Sequence, residues 1–503
     1  MQPISQSASA PSQDTGPVTD SDTGNGGGDT LPPARKYFSG TAGDRLAWDD
    51  AARLDRLQYT VDQARGAPVY KDRLQGLKVH TLEDLASLPF TFKSDLKGHP
   101  AEAFLACPKE KVWHFHESFG TTGSPVPGWY SLDDIEVEID VIDRWLAEFG
   151  PGKVVMNRYP YAFPVPAQLV ETAVRLMGGT LIPTSNMTYN VGFMRVLRLL
   201  EQRSVNVVTG MPLEAILLKE TALQLGMNVR DAFPSLEAFA FAGRILTPSW
   251  KGSMEDDWGC TVRNLYGCTE GGPFATSCEH GHLHLHEQFF VFEIVDPETR
   301  QPLLEDAPVG TLVATTLGRE AQPMIRYYTD DLVRVRPGPC PCGSPTRAIE
   351  VLGRAGDLIK FGSTEVTNFD LEEEILQWTR EFQSNVFFVI ITSRGFLVRV
   401  EAREPGKVSA SEGSRRLTDR LGVPVRVEVL PRGQLINHVS LVTSPAVFKP
   451  RTVSDHRVEK RKVINLSGGL IDWWAEVTVK HVLQLMVKGV RDFFAGWRIR
   501  LFG

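Results

Sequence analysis

Between residues 154 and 226 the chain alternates short apolar runs with longer amphipathic stretches, and few folds accept that rhythm. Val154, Val155 and Met156 read as a buried strand. Residues 167–177 read as a helix, which Gly178 and Gly179 end before a strand at 180–183. The next expected helix is 191–201 and the next strand 205–208. Residues 212–225 then form a helix that Gly226 caps. Strand–helix alternation of this kind predicts a large α/β domain.

One such domain does not use up 503 residues, because a single core serves about 100–200 residues. The pattern changes scale near residues 352–357. Residues 369–378 read as a helix with Glu372, Glu373 and Glu374 on its exposed part. Strands follow at 386–392 and 396–402, a helix at 409–421 and a strand at 423–430. This suits a small α+β domain. The expected division is a large domain over 36–353 and a small one over 354–465. Residues 1–35, rich in Ser, Gly, Asp, Thr and Pro, are expected to be disordered. Residues 48–74 read as helical.

Composition excludes several classes. A net charge of −7 argues against general nucleic-acid binding. No apolar run reaches the ~18 residues of a membrane span, and no secretory signal is visible. Six cysteines in so long a chain are not a disulfide framework, so a reducing cytoplasm is expected.

Four segments carry chemistry. Residues 118–125 (Ser-Phe-Gly-Thr-Thr-Gly-Ser-Pro) follow a strand-like run at 111–115. Such a loop offers backbone N–H groups and hydroxyls with little bulk, which a polyphosphate needs. It is no P-loop, since no Lys follows the last glycine, and a plain turn would read the same way. In residues 264–272, Glu270 stands among small residues, where a carboxylate can hold Mg²⁺. In residues 325–331, Asp331 can take two ribose hydroxyls. Gly353 and Arg354 mark the change of domain. Read singly, residues 264–272 and 325–331 also fit surface turns. A fifth cluster holds Cys278 with His280, His282, His284 and His286, and a distant turn holds Cys340-Pro341-Cys342-Gly343. Together they can supply four zinc ligands. Alternation puts all four histidines on one side of a strand, so spacing does not choose among them.

Taken in order, the motifs resemble the phenylacetate–CoA ligase family of the adenylate-forming superfamily, over residues 48–465. Residues 65–74, with Pro68, Tyr70 and Arg73, resemble the family's entry segment. Leu88-Pro89-Phe90-Thr91 with Lys93-Ser94-Asp95-Leu96 is similar to its "LPfttKeDL". Gly120-Thr121-Thr122-Gly123 resembles its phosphate loop, Tyr266-Gly267 with Thr269-Glu270 its "YG-TE", and Arg326-Tyr327 with Thr329 and Asp331 its "RYRTGD".

The resemblance implies ATP, Mg²⁺ and coenzyme A as cofactors and a small-molecule carboxylic acid as substrate. The acid attacks the α-phosphate to give an acyl-adenylate, a thiol then takes the acyl group, and the small domain rotates in between. Ser118, Gly120, Thr121, Thr122 and Gly123 would cradle the phosphates, Thr121 and Thr122 holding the β/γ-phosphates. Tyr266 and Thr269 belong to the nucleotide site. Glu270 would hold Mg²⁺, Asp331 the ribose, and Arg354 the ribose or phosphate. The family's zinc pairing falls on Cys278, His284, Cys340 and Cys342, a structural site.

Some positions depart from the pattern. Ser124 stands where a Lys is common, Arg244 stands near a usual Glu, and Gly356 replaces a hinge aspartate, which should loosen the pivot. Strict alignment puts Glu459 on the catalytic-lysine position, and a one-residue shift puts Lys460 there. Residues 159–166 and 185–188 differ in the acid pocket, so an acid other than phenylacetate is expected, aromatic or heteroaromatic. Alternatives keep adenylation but deliver the acyl group to an amine or carrier protein, or adenylylate a deazaflavin coenzyme. A degenerate homologue would bind nucleotide without turnover. Residues 466–503 lie beyond the resemblance and read as an aromatic and basic helix. It would pack on the enzyme, or dock on a partner protein or membrane surface. A second copy of the chain is a further expected partner.

Overall fold

The computed structural model describes residues 50–118, 125–143, 149–162, 165–186, 191–436 and 452–457. The expectations for residues 1–35 and 466–503 therefore lie outside the described residues.

A mixed 12-stranded sheet dominates. Its first half is parallel, in the spatial order Thr180–Pro183, Val154–Asn157, Val207–Gly210, Ala238–Ala242, Thr261–Cys268. Both faces of this half are covered, and the strands show why in their alternation. Val155, Val207, Ala238 and Ala240 enter one core with the helix Pro166–Met177. Met156, Val208, Phe239 and Phe241 enter the other with the helices Phe193–Gln202 and Pro212–Gln224. The expected helices and strands of this region all form, within two residues of their expected ends.

From Gly272 the sheet turns antiparallel, through Gly272–Ser277, Leu283–Leu285, Ala348–Arg354, Tyr327–Val335, Val309–Thr316 and Phe290–Val295. Residues 48–74 are not one helix. Asp50–Ala64 ends at Arg65-Gly66, and Pro68 starts a short second helix, Pro68–Arg73. A Cβ on Gly66 would lie 2.7 Å from the Ala106 carbonyl oxygen, so the break lets two backbone segments meet.

The chain leaves the large sheet at Arg354. Among the described residues that follow, a four-stranded sheet forms in the order Val425–Pro431, Gly395–Ala402, Phe387–Thr392, Val453–Asp455, with the helices Asn368–Thr379 and Ala410–Leu421, after a separate hairpin of Ile359–Phe361 and Thr364–Val366. The two parts are tied by polar contacts. Arg244 Nη2 lies 2.7 Å from Glu372 Oε1 and 2.8 Å from Thr452 Oγ1, and Glu373 accepts from Ser249 N and Oγ at 2.9 and 2.7 Å. This corrects the reading of Glu372 to Glu374 as an exposed face. Glu372 is buried, because that face meets the large domain. At Gly356 a Cβ would meet nothing within 4 Å, and its φ is not positive, so nothing there requires glycine. Among the described residues no helix is long and apolar enough to cross a membrane.

Candidate active site and metal centre

Where the parallel half of the sheet meets the antiparallel half, a cavity of about 750 Å³ opens. Ser118, Tyr266, Thr269, Glu270, Asp331 and Arg354 all line it. Gly120, Thr121, Thr122, Gly123 and Ser124 lie outside the described residues, as do Glu459 and Lys460.

The ends of the expected phosphate loop are nevertheless fixed. Ser118 N donates to the Val126 carbonyl, and Val126 N donates to Ser118 Oγ, both at 2.9 Å. Ser118 thus closes the loop, and its hydroxyl oxygen is already engaged with the backbone.

Glu270 sits in the tight connection between Thr261–Cys268 and Gly272–Ser277. A Cβ on Gly267 would lie 2.3 Å from the Gly272 carbonyl oxygen, so the hairpin closes only around glycine. Glu270 is 1% exposed. The Tyr327 hydroxyl donates to its Oε1, and Lys93 Nζ lies 3.7 Å from the same oxygen. Burial, reinforced by the Glu270 charge, pushes both the Tyr327 hydroxyl and the Cys268 thiol well above their usual ranges. Both stay protonated, so Glu270 is faced by one donor, one cation and a neutral thiol. Sequence reasoning did not place Lys93, Tyr327 or Cys268 in the site, although Lys93 and Tyr327 stood in quoted motifs.

Asp331 lies directly opposite Arg354 across paired strands. Tyr266 Oη donates to its Oδ2 at 2.7 Å, and Arg354 Nε stands 4.0 Å from Oδ1. Burial raises the Asp331 pKa, while Tyr266 and then Arg354 pull it back. Arg354 is exposed, so its guanidinium is open to a ligand as well. The arginine of the same motif does something else. Arg326 is buried at φ 44°, grips Glu293 through two bonds of 2.7 and 2.9 Å, and donates to the Ala86 and Leu88 carbonyls. It ties the N-terminal segment to the sheet and holds its own backbone in a costly conformation. Thr269 lines the cavity while its carbonyl accepts from the Tyr130 hydroxyl.

The ligand atoms of Cys278, His284, Cys340 and Cys342 all lie within 4.8 Å of one another. Cys278 Sγ is 3.9 Å from Cys340 Sγ, and Cys342 Sγ is 3.3 Å from His284 Nε2. His284 Nδ1 lies 3.0 Å from the Thr346 carbonyl, which fixes the ring and leaves Nε2 facing the thiols. Only His284 falls inside the strand Leu283–Leu285, so the alternation expected of four histidines does not extend that far. His282 is the near rival, with Nδ1 3.2 Å from Cys340 Sγ. His280 is exposed beside Glu279, and His286 is buried outside the cluster. Three thiols and one anchored imidazole can hold a metal ion. Gly281, His282 and Arg336 put this cluster beside the cavity's rim.

The AMP-binding enzyme family matches residues 120–316. The phenylacetate–coenzyme A ligase of Thermus thermophilus is 30% identical over 385 residues, covering 70% of this chain and 84% of that one. The chain belongs to the phenylacetate–coenzyme A ligase family. The ligase of the same name from Escherichia coli is 29% identical over 372 residues, 70% of this chain and 82% of the relative. A 2-hydroxyisobutyryl-CoA ligase, solved in its postadenylation state with 2-HIB-AMP, superposes with a TM-score of 0.71 at 21% identity. That comparison spans 85% of this chain and 91% of the other and shows the shared fold. Membership of this family makes the chain an adenylate-forming acid–CoA ligase, which activates an acid and then forms a thioester.

Proposed function

We propose that the cavity activates an aromatic or heteroaromatic carboxylic acid with ATP and passes the acyl group to coenzyme A. The observation that carries this reading is the convergence of Glu270, Asp331, Tyr266 and Arg354, from three separate segments, on one cavity. Asp331 and Arg354 form a carboxylate–guanidinium edge suited to ribose hydroxyls and phosphate. Glu270, with an acceptor oxygen beside Lys93, suits Mg²⁺ and polyphosphate, and bound Mg²⁺ would offset the phosphate charge. The work left to the protein is to position acid and α-phosphate and to shield charge. Gly120, Thr121, Thr122 and Gly123 complete the phosphate cradle in this reading, and Lys460 supplies the cation at the α-phosphate.

In the same reading Cys278, His284, Cys340 and Cys342 hold a structural Zn²⁺ that fixes the rim of the cavity. The domain division falls at 353/354, and six cysteines without a disulfide among them suit a cytoplasmic enzyme.

Acid-dependent ATP–pyrophosphate exchange across a panel of aromatic acids tests the reading. Exchange with at least one acid, and a thioester when coenzyme A is added, is the expected result. No exchange with any acid, alongside measurable ATP binding, rejects the enzyme reading in favour of a degenerate nucleotide binder. Exchange without thioester points to an amine or carrier-protein acceptor.

A further inference from the structure

One end of the cavity is walled by the helices Leu132–Asp143 and Pro166–Met177. Ile142, Tyr159, Leu169 and Val170 line it there and belong to a single apolar cluster. One turn before Ile142, on the same helix face, the lining residue is Glu138. Its side chain is more than nine-tenths buried, and Oε2 has no hydrogen-bond partner among the described residues.

The nearest cation does not account for this carboxylate. Arg319 Nη1 lies 3.8 Å from Glu138 Oε1, beyond hydrogen-bond range. Arg319 instead donates to the Glu270 and Trp129 carbonyls and stacks over the Tyr130 ring at 4.3 Å. Structural ion pairs in this protein look different. Arg326–Glu293 closes at 2.7 Å and Arg158–Glu214 at 2.9 Å. Room for the Glu138 carboxylate is built in from the other side. Gly272 sits at φ 92°, and a Cβ there would lie 2.5 Å from Glu138 Oε1. Burial pushes Glu138 up to about 7, with Arg319 and the Tyr130 hydroxyl opposing and Asp134 reinforcing the shift. Its Oε2, buried and without a hydrogen-bond partner among the described residues, is available to a ligand in the cavity.

We propose that Glu138 sets the specificity of the acid site by accepting a hydrogen bond from a hydroxyl or N–H group on the acyl part of the substrate. The preferred acid then combines an apolar body with one such donor. This rests on the ligase reading of the cavity and narrows its substrate class. An apolar pocket discriminates weakly between acids of similar shape, whereas a buried acceptor left without its donor discriminates strongly.

The test uses matched pairs: benzoate and phenylacetate against their ring-hydroxylated and ring-aminated counterparts. ATP–pyrophosphate exchange is measured for the full-length protein and for Glu138→Met and Glu138→Gln. Wild type should favour the donor-bearing member of at least one pair by about 100-fold or more in kcat/KM. Glu138→Met should erase that preference with KM for ATP unchanged, and Glu138→Gln, which keeps an acceptor oxygen, should retain part of it. Equal wild-type rates within every pair overturn the proposal, and this comparison needs no variant to fold. A uniform fall of all acids in Glu138→Met also overturns it, since a merely structural carboxylate would act that way. Absence of exchange with every acid in wild type rejects the ligase reading itself, and this inference with it.

Discussion

Tyr266 donates a 2.7 Å hydrogen bond to Asp331 and so couples two cavity motifs 65 residues apart. The bond leaves Oδ1 of the carboxylate facing Arg354. It also fixes the carboxylate that the proposed reading assigns to the ribose.

Tyr266→Phe removes that bond and leaves the ring. A hydrogen bond to a charged group contributes about 1.5–3 kcal/mol, so KM for ATP should rise roughly 10- to 100-fold. The midpoint of thermal unfolding should move little, because one end of the pair already faces the cavity. Exchange kinetics at varied ATP check this, and an unchanged KM would show that Asp331 is held by other means.

Glu270 should be less forgiving. Its oxygen is shared between the Tyr327 hydroxyl and Lys93, and the side chain itself is almost fully buried. Glu270→Ala should lower exchange by at least about 100-fold, the scale for removing a preorganised charge contact. Raising Mg²⁺ should not restore the rate. A variant that folds and exchanges normally would remove Glu270 from the phosphate site.

These residues differ in how far the sequence disclosed them. Strands such as 154–157 and 207–210 were legible because a sheet buried on both faces needs a short unbroken apolar run. Glu270 and Asp331 were legible because their neighbours recur as motifs. Glu372 was misread, since a run of three glutamates on a helix looks solvated unless the opposing domain is known. Glu138 was missed for a similar reason. In Asp-Asp-Ile-Glu-Val-Glu-Ile-Asp five of the eight residues are acidic, and nothing local marks which one turns inward. Lys93 was quoted only as part of a motif, because its partner lies 177 residues away and only the fold brings them within 3.7 Å. The break at Gly66 answers to the Ala106 backbone, a contact no local pattern contains.

The four-ligand cluster gives a metal prediction with an internal control. Protein purified without added metal should carry about one equivalent of zinc, as closed Cys₃His sites do, and less than about half an equivalent would count against the site. His284→Ala should lose the metal, because its Nδ1 is anchored on Thr346 and its Nε2 faces Cys342. His282→Ala should keep it. The reverse result would assign the fourth ligand to His282, whose Nδ1 lies 3.2 Å from Cys340. Stripping the metal with a chelator should lower the thermal midpoint.

Glu138 also predicts how stability varies with pH. Its pKa is about 7 in the folded protein against an ordinary 4.5, with burial the main cause. The groups around it are Arg319, which opposes the shift, and Asp134 and Tyr130. A carboxyl whose pKa is raised by folding holds its proton more tightly when native. Its contribution is intact below pH 4.5 and is lost as the pH climbs through 7. The full cost is about 3 kcal/mol, one pKa unit being ~1.4 kcal/mol. Glu138→Gln carries no such proton, so its stability relative to wild type should improve steadily from pH 4.5 to about 7.5 and then level off. Urea unfolding of both proteins at several pH values checks this. Parallel curves would mean that Arg319 keeps the carboxylate ionised throughout, and that the buried acceptor is charged at every pH at which the enzyme works.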